Sequence, residues 1–356
     1  MSPDPAAVLA RAEAAYLGLA LGDALGATVE FMTPREIAHH HGVHREIGGG
    51  GWLRLAPGQV TDDTGMALAL GQAILAHDGR IEALACARAF DAWMRARPVD
   101  IGNTVRRNLI RFRNTGEPEA PASDHDAGNG AAMRVLPVAL ATFGRPEAEV
   151  RAACRAQAHV THHNAMSDAA CEFLALSVQD FLRGDSLQQV FRQRIRPLVA
   201  AHPAYAFRDR PRRENPSGWV VETMQAVLQA VVDVGGFEHC LVDVVNRGGD
   251  ADTTGAIAGM LAGALYGREA LPARWLKALD PAVREACMAQ ARGLIAQPSL
   301  PAREAASQAC RAPAREAASQ ACRAPAREAA SQACRAPARE AETQTGTSAD
   351  LVPGKS

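Results

Sequence analysis

Gly249-Asp250-Ala251-Asp252-Thr253-Thr254 runs directly into GAIAGMLAGALYG (residues 255–267), so two carboxylates stand at the head of an apolar segment rich in glycine and alanine. From Thr253 to Gly267 the chain carries no charge over 15 residues. A membrane span needs about 20 residues, so this stretch reads as a helix buried in a protein core. Gly255, Gly259 and Gly263, spaced by four, mark a face that lets a second helix approach closely. The same layout occurs earlier, where Thr61-Asp62-Asp63-Thr64 precedes GMALALGQAIL (65–75). Inside a helix, successive side chains diverge by about 100°, and neighbouring carboxylates cannot converge on one point. At a helix start the backbone is not yet helical, and Asp and Thr are favoured there as caps. Capping needs one oxygen per helix. Four aspartates and several threonines in two equivalent clusters exceed that need.

The rest of the chain agrees with a helical protein. It has 356 residues, 47% hydrophobic and 22% charged, which is enough apolar material for a large core and excludes wholesale disorder. Aromatic residues make up only 4%, and no period-two pattern of β-branched residues is present, against a β-sandwich or barrel. The formal charge of −1 gives no electrostatic case for nucleic acid or an anionic membrane. Apolar periodicity predicts helices over 6–25, 64–77, 81–95, 131–143, 147–159, 167–183, 187–199, 218–234, 237–246, 254–266 and 281–296. The expected fold class is all-α: a single compact, orthogonal multi-helix domain over 1–298. Residues 299–356 are set apart as a low-complexity tail. There PAREAASQACRA repeats from Pro301, Pro313 and Pro325, with a truncated copy at Pro337. Proline every twelve residues prevents one continuous helix, and the repeat has little to bury, so the tail is expected to be disordered or only partly helical. Cys86, Cys154, Cys171, Cys240 and Cys287 sit in apolar helical surroundings and read as free core thiols of a reducing compartment. Cys310, Cys322 and Cys334 of the repeats would be exposed thiols. Met1 to Arg11 has no basic region ahead of an apolar stretch, and no secretory signal or integral membrane segment is expected.

Oxygen ligands without His or Cys nearby select a hard cation, Mg²⁺ or Mn²⁺, over zinc. Two clusters meeting in space suit two ions bridged by shared carboxylates. Both helix N-termini turn partial positive charge toward such a site, so several carboxylates are needed to make it attractive.

Further motifs accompany these two: GDALGATVEF (22–31), GGGWLRL (49–55), RPVDIGNT (97–104), DAGNGAAMR (126–134), VTH (160–162) and SDAA (167–170). Together, in this order, they resemble the ADP-ribosylglycohydrolase family, and GGGWL with RPVDIGNT resembles its dinitrogenase-reductase-activating branch. The resemblance covers about residues 10–295. It implies an all-helical fold around a dimetal centre and cleavage of the N-glycosidic bond between ADP-ribose and a protein arginine. Thr61, Asp62, Asp63, Asp250, Asp252 and Thr253 match the family's metal ligands, and Glu30 an acidic residue close to the metals. Asp100 and Asn103 match positions reaching the ribose, and Gly128, Asn129 and Gly130 a loop against the phosphate and ribose portion. His162 falls in the cleft. Asp100 and Glu30 are expected to share the acid–base work, with their individual roles open.

For the glycine loop, the physical rationale is close approach of backbone N–H groups to a pyrophosphate ahead of a helix beginning at Ala131; the plain alternative is a turn with Asn129 left-handed. Three positions depart from the family pattern. Thr161-His162-His163-Asn164-Ala165 stands where the branch more often has THNHP, Gly65 replaces an acidic or amide residue, and Trp219 occupies a tyrosine position, keeping a stacking face for substrate but losing a hydroxyl. His39, His40, His41 and His44 read as a solvent-exposed cluster, and Asp23 as a structural carboxylate rather than a ligand.

The resemblance implies dinitrogenase reductase as the protein target. A general hydrolase of ADP-ribosyl-arginine or another ADP-ribose adduct is the close alternative, and a non-catalytic ADP-ribose-binding regulator the alternative of another class. By the same resemblance, the protein is cytoplasmic, and a P-II-type nitrogen signalling protein is a partner able to draw it to a membrane.

Overall fold

In the computed structural model, residues 4–297 are described, and they all belong to one compact unit. The expected repeat tail, with Cys310, Cys322 and Cys334, lies outside the described residues.

The helices are α1 (Pro5–Gly26), α2 (Pro34–His41), α3 (Asp62–Ala76), α4 (Ala83–Arg95), α5 (Asn103–Thr115), α6 (Leu136–Ala141), α7 (Glu147–Ala158), α8 (Ala165–Arg183), α9 (Leu187–Val190), α10 (Arg196–Ala201), α11 (Val220–Asp233), α12 (Phe237–Val245), α13 (Ala251–Tyr266), α14 (Ala273–Ala278) and α15 (Pro281–Ile295). The described residues hold no named strand, only two isolated bridges, Gly50 with Leu55 and Gly128 with Trp219. The all-α expectation holds. No helix among the described residues is long and apolar enough to cross a membrane.

The glycine spacing of α13 finds its partner in α1. Beta-carbons placed on Gly18, Gly22 and Gly26 would lie 2.2, 2.0 and 2.1 Å from the carbonyl oxygens of Gly259, Gly255 and Ala251. On α13, Gly263 meets the carbonyl of Ala14 at 2.2 Å in the same way. The pairing runs in opposite directions along the two helices, which are therefore antiparallel. Each presents a row of small residues four apart, and only hydrogen at those α-carbons lets the backbones touch. Both helices are buried almost all round, so their low amphipathicity is what a central pair requires. Helices α11, α12 and α8 pack on α13, and α15 and α3 pack on α1.

Two expected helices differ in extent. The one anticipated from Ala131 begins at Leu136, after turns over 130–134. The one anticipated over 187–199 passes through a π-helical stretch, Phe191–Ile195, between α9 and α10. Helices α2, α5 and α14 were not anticipated. All five cysteines of the body are buried and free, as expected. His44 is a correction: it is buried, not exposed, and its Nε2 pairs with the Leu25 carbonyl at 2.8 Å.

Candidate metal centre and active-site cleft

Asp23, near the end of α1, organises the start of α3. Its carboxylate accepts from Thr61 N (3.0 Å), Thr61 Oγ1 (3.0 Å), Thr64 N (3.1 Å) and Thr64 Oγ1 (2.6 Å). It spends its lone pairs on the first turn of α3, as a structural carboxylate does. Burial raises its pKa to about 6, and the bonds from Thr64 and Thr61 oppose that rise. With Asp23 satisfying the helix start, Asp62 and Asp63 are released from capping.

Because α1 and α13 are antiparallel, the C-terminal end of α1 meets the N-terminal end of α13. Thr61 Oγ1 lies 3.2 Å from Asp63 Oδ2 and 3.4 Å from Asp252 Oδ2, and Thr253 Oγ1 lies 3.3 Å from Asp63 Oδ2. The two clusters, about 190 residues apart in sequence, share one buried nest. Carboxylate oxygens of Glu30, Asp100 and Asp252 also lie within 4.8 Å of one another. Asp62 and Asp250 line the same cleft, which has a volume of about 440 Å³.

The electrostatics of the nest call for a cation. Burial raises the pKa of Asp62 to about 7 and of Glu30 to about 8, with neighbouring carboxylates adding to the rise. Asp63 and Asp252 are pushed well above the ordinary carboxylate range for the same reasons, and Asp250 is raised by burial. Asp63 Oδ1 is buried without a hydrogen-bond partner among the described residues. An orphaned carboxylate oxygen inside an all-oxygen cluster fits divalent, hard cations. The residues able to hold them are Thr61, Asp62, Asp63, Asp250, Asp252 and Thr253.

The cleft walls come from several loops around the nest. Gly102 N donates to Asp62 Oδ2 at 3.2 Å, which brings the Asp100–Asn103 turn against the nest. Asp100 Oδ1 accepts from Ile101 N at 2.8 Å, and Asn103 opens α5 at the cleft edge. Asn129 Nδ2 donates to Asp250 Oδ2 at 2.6 Å and to Thr223 Oγ1 at 2.9 Å, so Asn129 orients Asp250 as well as lining the cleft. Gly128 and Gly130 also line it, and the packing supplies a further reason for glycine at both positions. A β-carbon on Gly128 would lie 2.9 Å from His162 Nε2, and one on Gly130 2.8 Å from His162 Cε1. The loop is pressed onto the imidazole. Asn129 does not have a positive φ, so the left-handed turn is not what forms, and no helix begins at Ala131 to present its N-terminus.

His162 is buried beneath that loop. Arg134, itself fully buried over the Phe90 ring, donates from Nη2 to Thr161 Oγ1 at 2.8 Å. Thr161 Oγ1 lies 2.8 Å from His162 Nδ1. Burial, with the Arg134 charge second, lowers the His162 pKa to about 3. Lowering the pKa favours the neutral imidazole, and a Thr161 hydroxyl donating to Nδ1 corresponds to the tautomer protonated at Nε2.

Two further outcomes concern the departures from pattern. A β-carbon at Gly65 would stand 2.8 Å from Trp93 Nε1, so the indole of α4 fills the space a larger residue would take. Trp219 joins the loop through its backbone, in the bridge to Gly128, while its side chain is half exposed and its neighbour Gly218 lines the cleft. The cleft rim also holds two aromatics given no role beforehand, Phe31 and Trp52, with ring centroids 5.5 Å apart. Trp52 Nε1 donates to Glu30 Oε2 at 2.6 Å. A lone tryptophan behind four glycines, Gly48–Gly51, was the signal available in the sequence.

Fold and site thus define an all-helical protein with a carboxylate-lined cleft suited to divalent cations. A family model described as ADP-ribosylglycohydrolase matches residues 4–304, and the chain belongs to that family. It is 49% identical over 286 residues to the ADP-ribosyl-[dinitrogen reductase] glycohydrolase of Rhodospirillum rubrum, covering 80% of this chain and 96% of that protein. It is 34% identical over 290 residues to the ADP-ribosylarginine hydrolase Tri1 of Serratia proteamaculans (strain 568), covering 76% of this chain and 75% of that one. A solved structure described as an ADP-ribosylglycohydrolase-related protein complex superposes with a TM-score of 0.72 at 36% identity, covering 82% of this chain and 99% of that chain. Family and relatives support ADP-ribosyl glycohydrolase activity.

Proposed function

We propose that the protein hydrolyses the N-glycosidic bond of ADP-ribosyl-arginine on a protein, with dinitrogenase reductase as the target. The observation that carries this is the convergence of Asp62, Asp63, Asp250 and Asp252 with Glu30 and Asp100 on one cleft. The likeness to the Rhodospirillum rubrum enzyme supports the target, and the likeness to Tri1 supports arginine as the modified side chain.

Thr61, Asp62, Asp63, Asp250, Asp252 and Thr253 would hold two divalent cations, Mn²⁺ or Mg²⁺. Such ions supply electrophilic anchorage for the ribose 2- and 3-hydroxyls and lower the pKa of a water beside them. The protein's own groups do the rest. Asn129 keeps Asp250 oriented, and Gly102 does the same for Asp62. Asn103 and His162 line the cleft and, on this reading, contact the ribose and phosphate portion. Among the described residues, Glu30 Oε1 and Asp100 Oδ2 have no hydrogen-bond partner, since Trp52 holds Glu30 Oε2 and the Ile101 N–H holds Asp100 Oδ1. Between them they accept a proton from the attacking water and return one to the leaving guanidine.

Metal analysis and turnover of ADP-ribosylated dinitrogenase reductase and of another ADP-ribosylated arginine protein test the proposal, with Asp63→Ala and Asp252→Ala beside the wild type. Cleavage of both substrates by the wild type and neither by the variants supports the chemistry; equal efficiency on the two removes the specific target. Binding of ADP-ribose without release from any adduct refutes the hydrolase reading. Nothing among the described residues identifies a face for a P-II-type protein.

A further inference from the structure

Phe31 and Trp52 form a ridge with a cavity on each side. One is the cleft; the other, of about 300 Å³, is lined by Thr28, Met32, Glu36, His40 and Gly51, and shares Glu30, Phe31 and Trp52 with the cleft. The ridge is held in place at some energetic cost. Phe31 has a φ of 62°, a left-handed conformation rare for a bulky residue, and is 65% exposed; Trp52 is 53% exposed. An aromatic kept strained and uncovered does not serve the core. What holds it is the head of α13: Phe31 N donates to Gly249 O at 2.7 Å, and Gly249 N donates to Met32 O at 3.0 Å. Behind it, Gly51 presses on the 27–28 backbone, its β-carbon position 2.5 Å from Ala27 O. The ridge is thus tied to the residue before Asp250.

The second cavity has the chemistry of a cation site. Glu36 is exposed at its edge, and the capping box of α2 occupies only one of its oxygens, since Oε2 accepts both Thr33 N (2.7 Å) and Thr33 Oγ1 (2.8 Å). Oε1 has no hydrogen-bond partner among the described residues. Thr28 lines the cavity, is only 8% exposed, and its hydroxyl has no partner among the described residues. A carboxylate oxygen without a partner on a cavity wall suits a hydrogen-bond-donating cation, and the unsatisfied Thr28 hydroxyl is a second acceptor among the residues that line it. The aromatic faces between the cavities suit the flat guanidinium and stem of an arginine passing over them.

We propose that this cavity is the subsite for the protein side of the scissile bond: it seats a cationic side chain of the polypeptide that bears the modified arginine, while the cleft takes the ADP-ribose. This rests on the hydrolase reading above. Glu30, common to both cavities, then stands where the two halves of the substrate separate.

Thr28→Val and Glu36→Gln test it; Gln retains the capping acceptor, and Val is nearly isosteric with Thr. Each variant is assayed on free ADP-ribosyl-arginine and on the ADP-ribosylated protein. The expected result is turnover of the free amino-acid adduct within about two-fold of wild type. With the protein substrate, KM should rise at least ~5-fold with kcat retained, the signature of binding lost equally from ground and transition states. Unchanged KM for the protein in both variants overturns the subsite, and so does an equal loss on both substrates, which would mark a role in shaping the cleft. Wild type that cleaves neither substrate fails the hydrolase reading itself, a result separate from either of these.

Discussion

Replacing Gly22 by alanine tests the link between core and site. On an ordinary helix this exchange stabilises by about 1 kcal/mol, because glycine is the poorer helix former. Here the new methyl would stand 2.0 Å from Gly255 O and 2.3 Å from Gly255 C. Ordinary contact begins near 3.4 Å, so α1 and α13 must part by about 1.4 Å at this point. Such overpacking costs about 1–3 kcal/mol, and more where several rigid backbone contacts open together. The strain wins, and the expected net loss is about 2 kcal/mol. The same displacement moves Asp23, which holds the head of α3, away from Asp250 and Asp252, so divalent-cation affinity falls with stability. Urea unfolding with chelator reads the first effect, and calorimetric titration with Mn²⁺ reads the second. Gly235→Ala is the control, since nothing lies within 4 Å of a β-carbon there and its φ is not positive. If Gly22→Ala unfolds at the same or higher urea concentration than wild type and binds Mn²⁺ equally well, the small-residue row does not set the geometry of the centre.

Asp63→Asn removes a buried charge from a like-charged nest, so in chelator the variant is expected to be at least as stable as wild type, while added Mn²⁺ raises the melting temperature of wild type alone; a less stable metal-free variant contradicts this. Asp100→Asn is expected to leave the fold intact and lower turnover at least ~100-fold, measured as ADP-ribose release; near-normal turnover removes Asp100 from the proton transfers. His162 stays neutral in the folded chain down to about pH 3 but titrates near 6.5 when unfolded. Between those values the unfolded chain binds the extra proton, so this contribution to stability is full above the upper value and is lost as pH falls through the window. Urea unfolding of wild type should show a loss of about 2–3 kcal/mol from this group between roughly pH 7 and 4.5, absent in His162→Gln. Equal pH slopes for the two proteins would show that the histidine is not held neutral.

The pairing of the two aspartate clusters is implied by the family resemblance, whereas the helical class and the buried character of α13 were legible in local pattern: glycine at a spacing of four and an uncharged apolar run. The partner of the glycine row was not. Gly18, Gly22 and Gly26 stand in YLGLALGDALG with the same spacing, but nothing local says which helix they meet. Helix α5 was missed because its inward face rests on Val105, Leu109 and Phe112 alone among arginines and asparagines. Helix α2 was missed although its capping box, Thr33 with Glu36, is written in the sequence. That Gly128 and Gly130 pack against an imidazole was not legible, because His162 comes from a loop more than thirty residues on. Phe31 and Trp52 escaped notice as a pair since neither has a periodic partner; only the fold brings their rings together.

Helix α1 leaves the ribosome first and waits for α13, which is synthesised more than two hundred residues later. Until then its glycine face has nothing to lie against, and the oxygen atoms of Asp63 have no counterpart from Asp252. A nascent or truncated chain ending before residue 251 lacks Asp252 and Thr253 and cannot complete the carboxylate nest. On the proposed function, cation loading is then a late event of biosynthesis, possible only once the whole body has been made and closed.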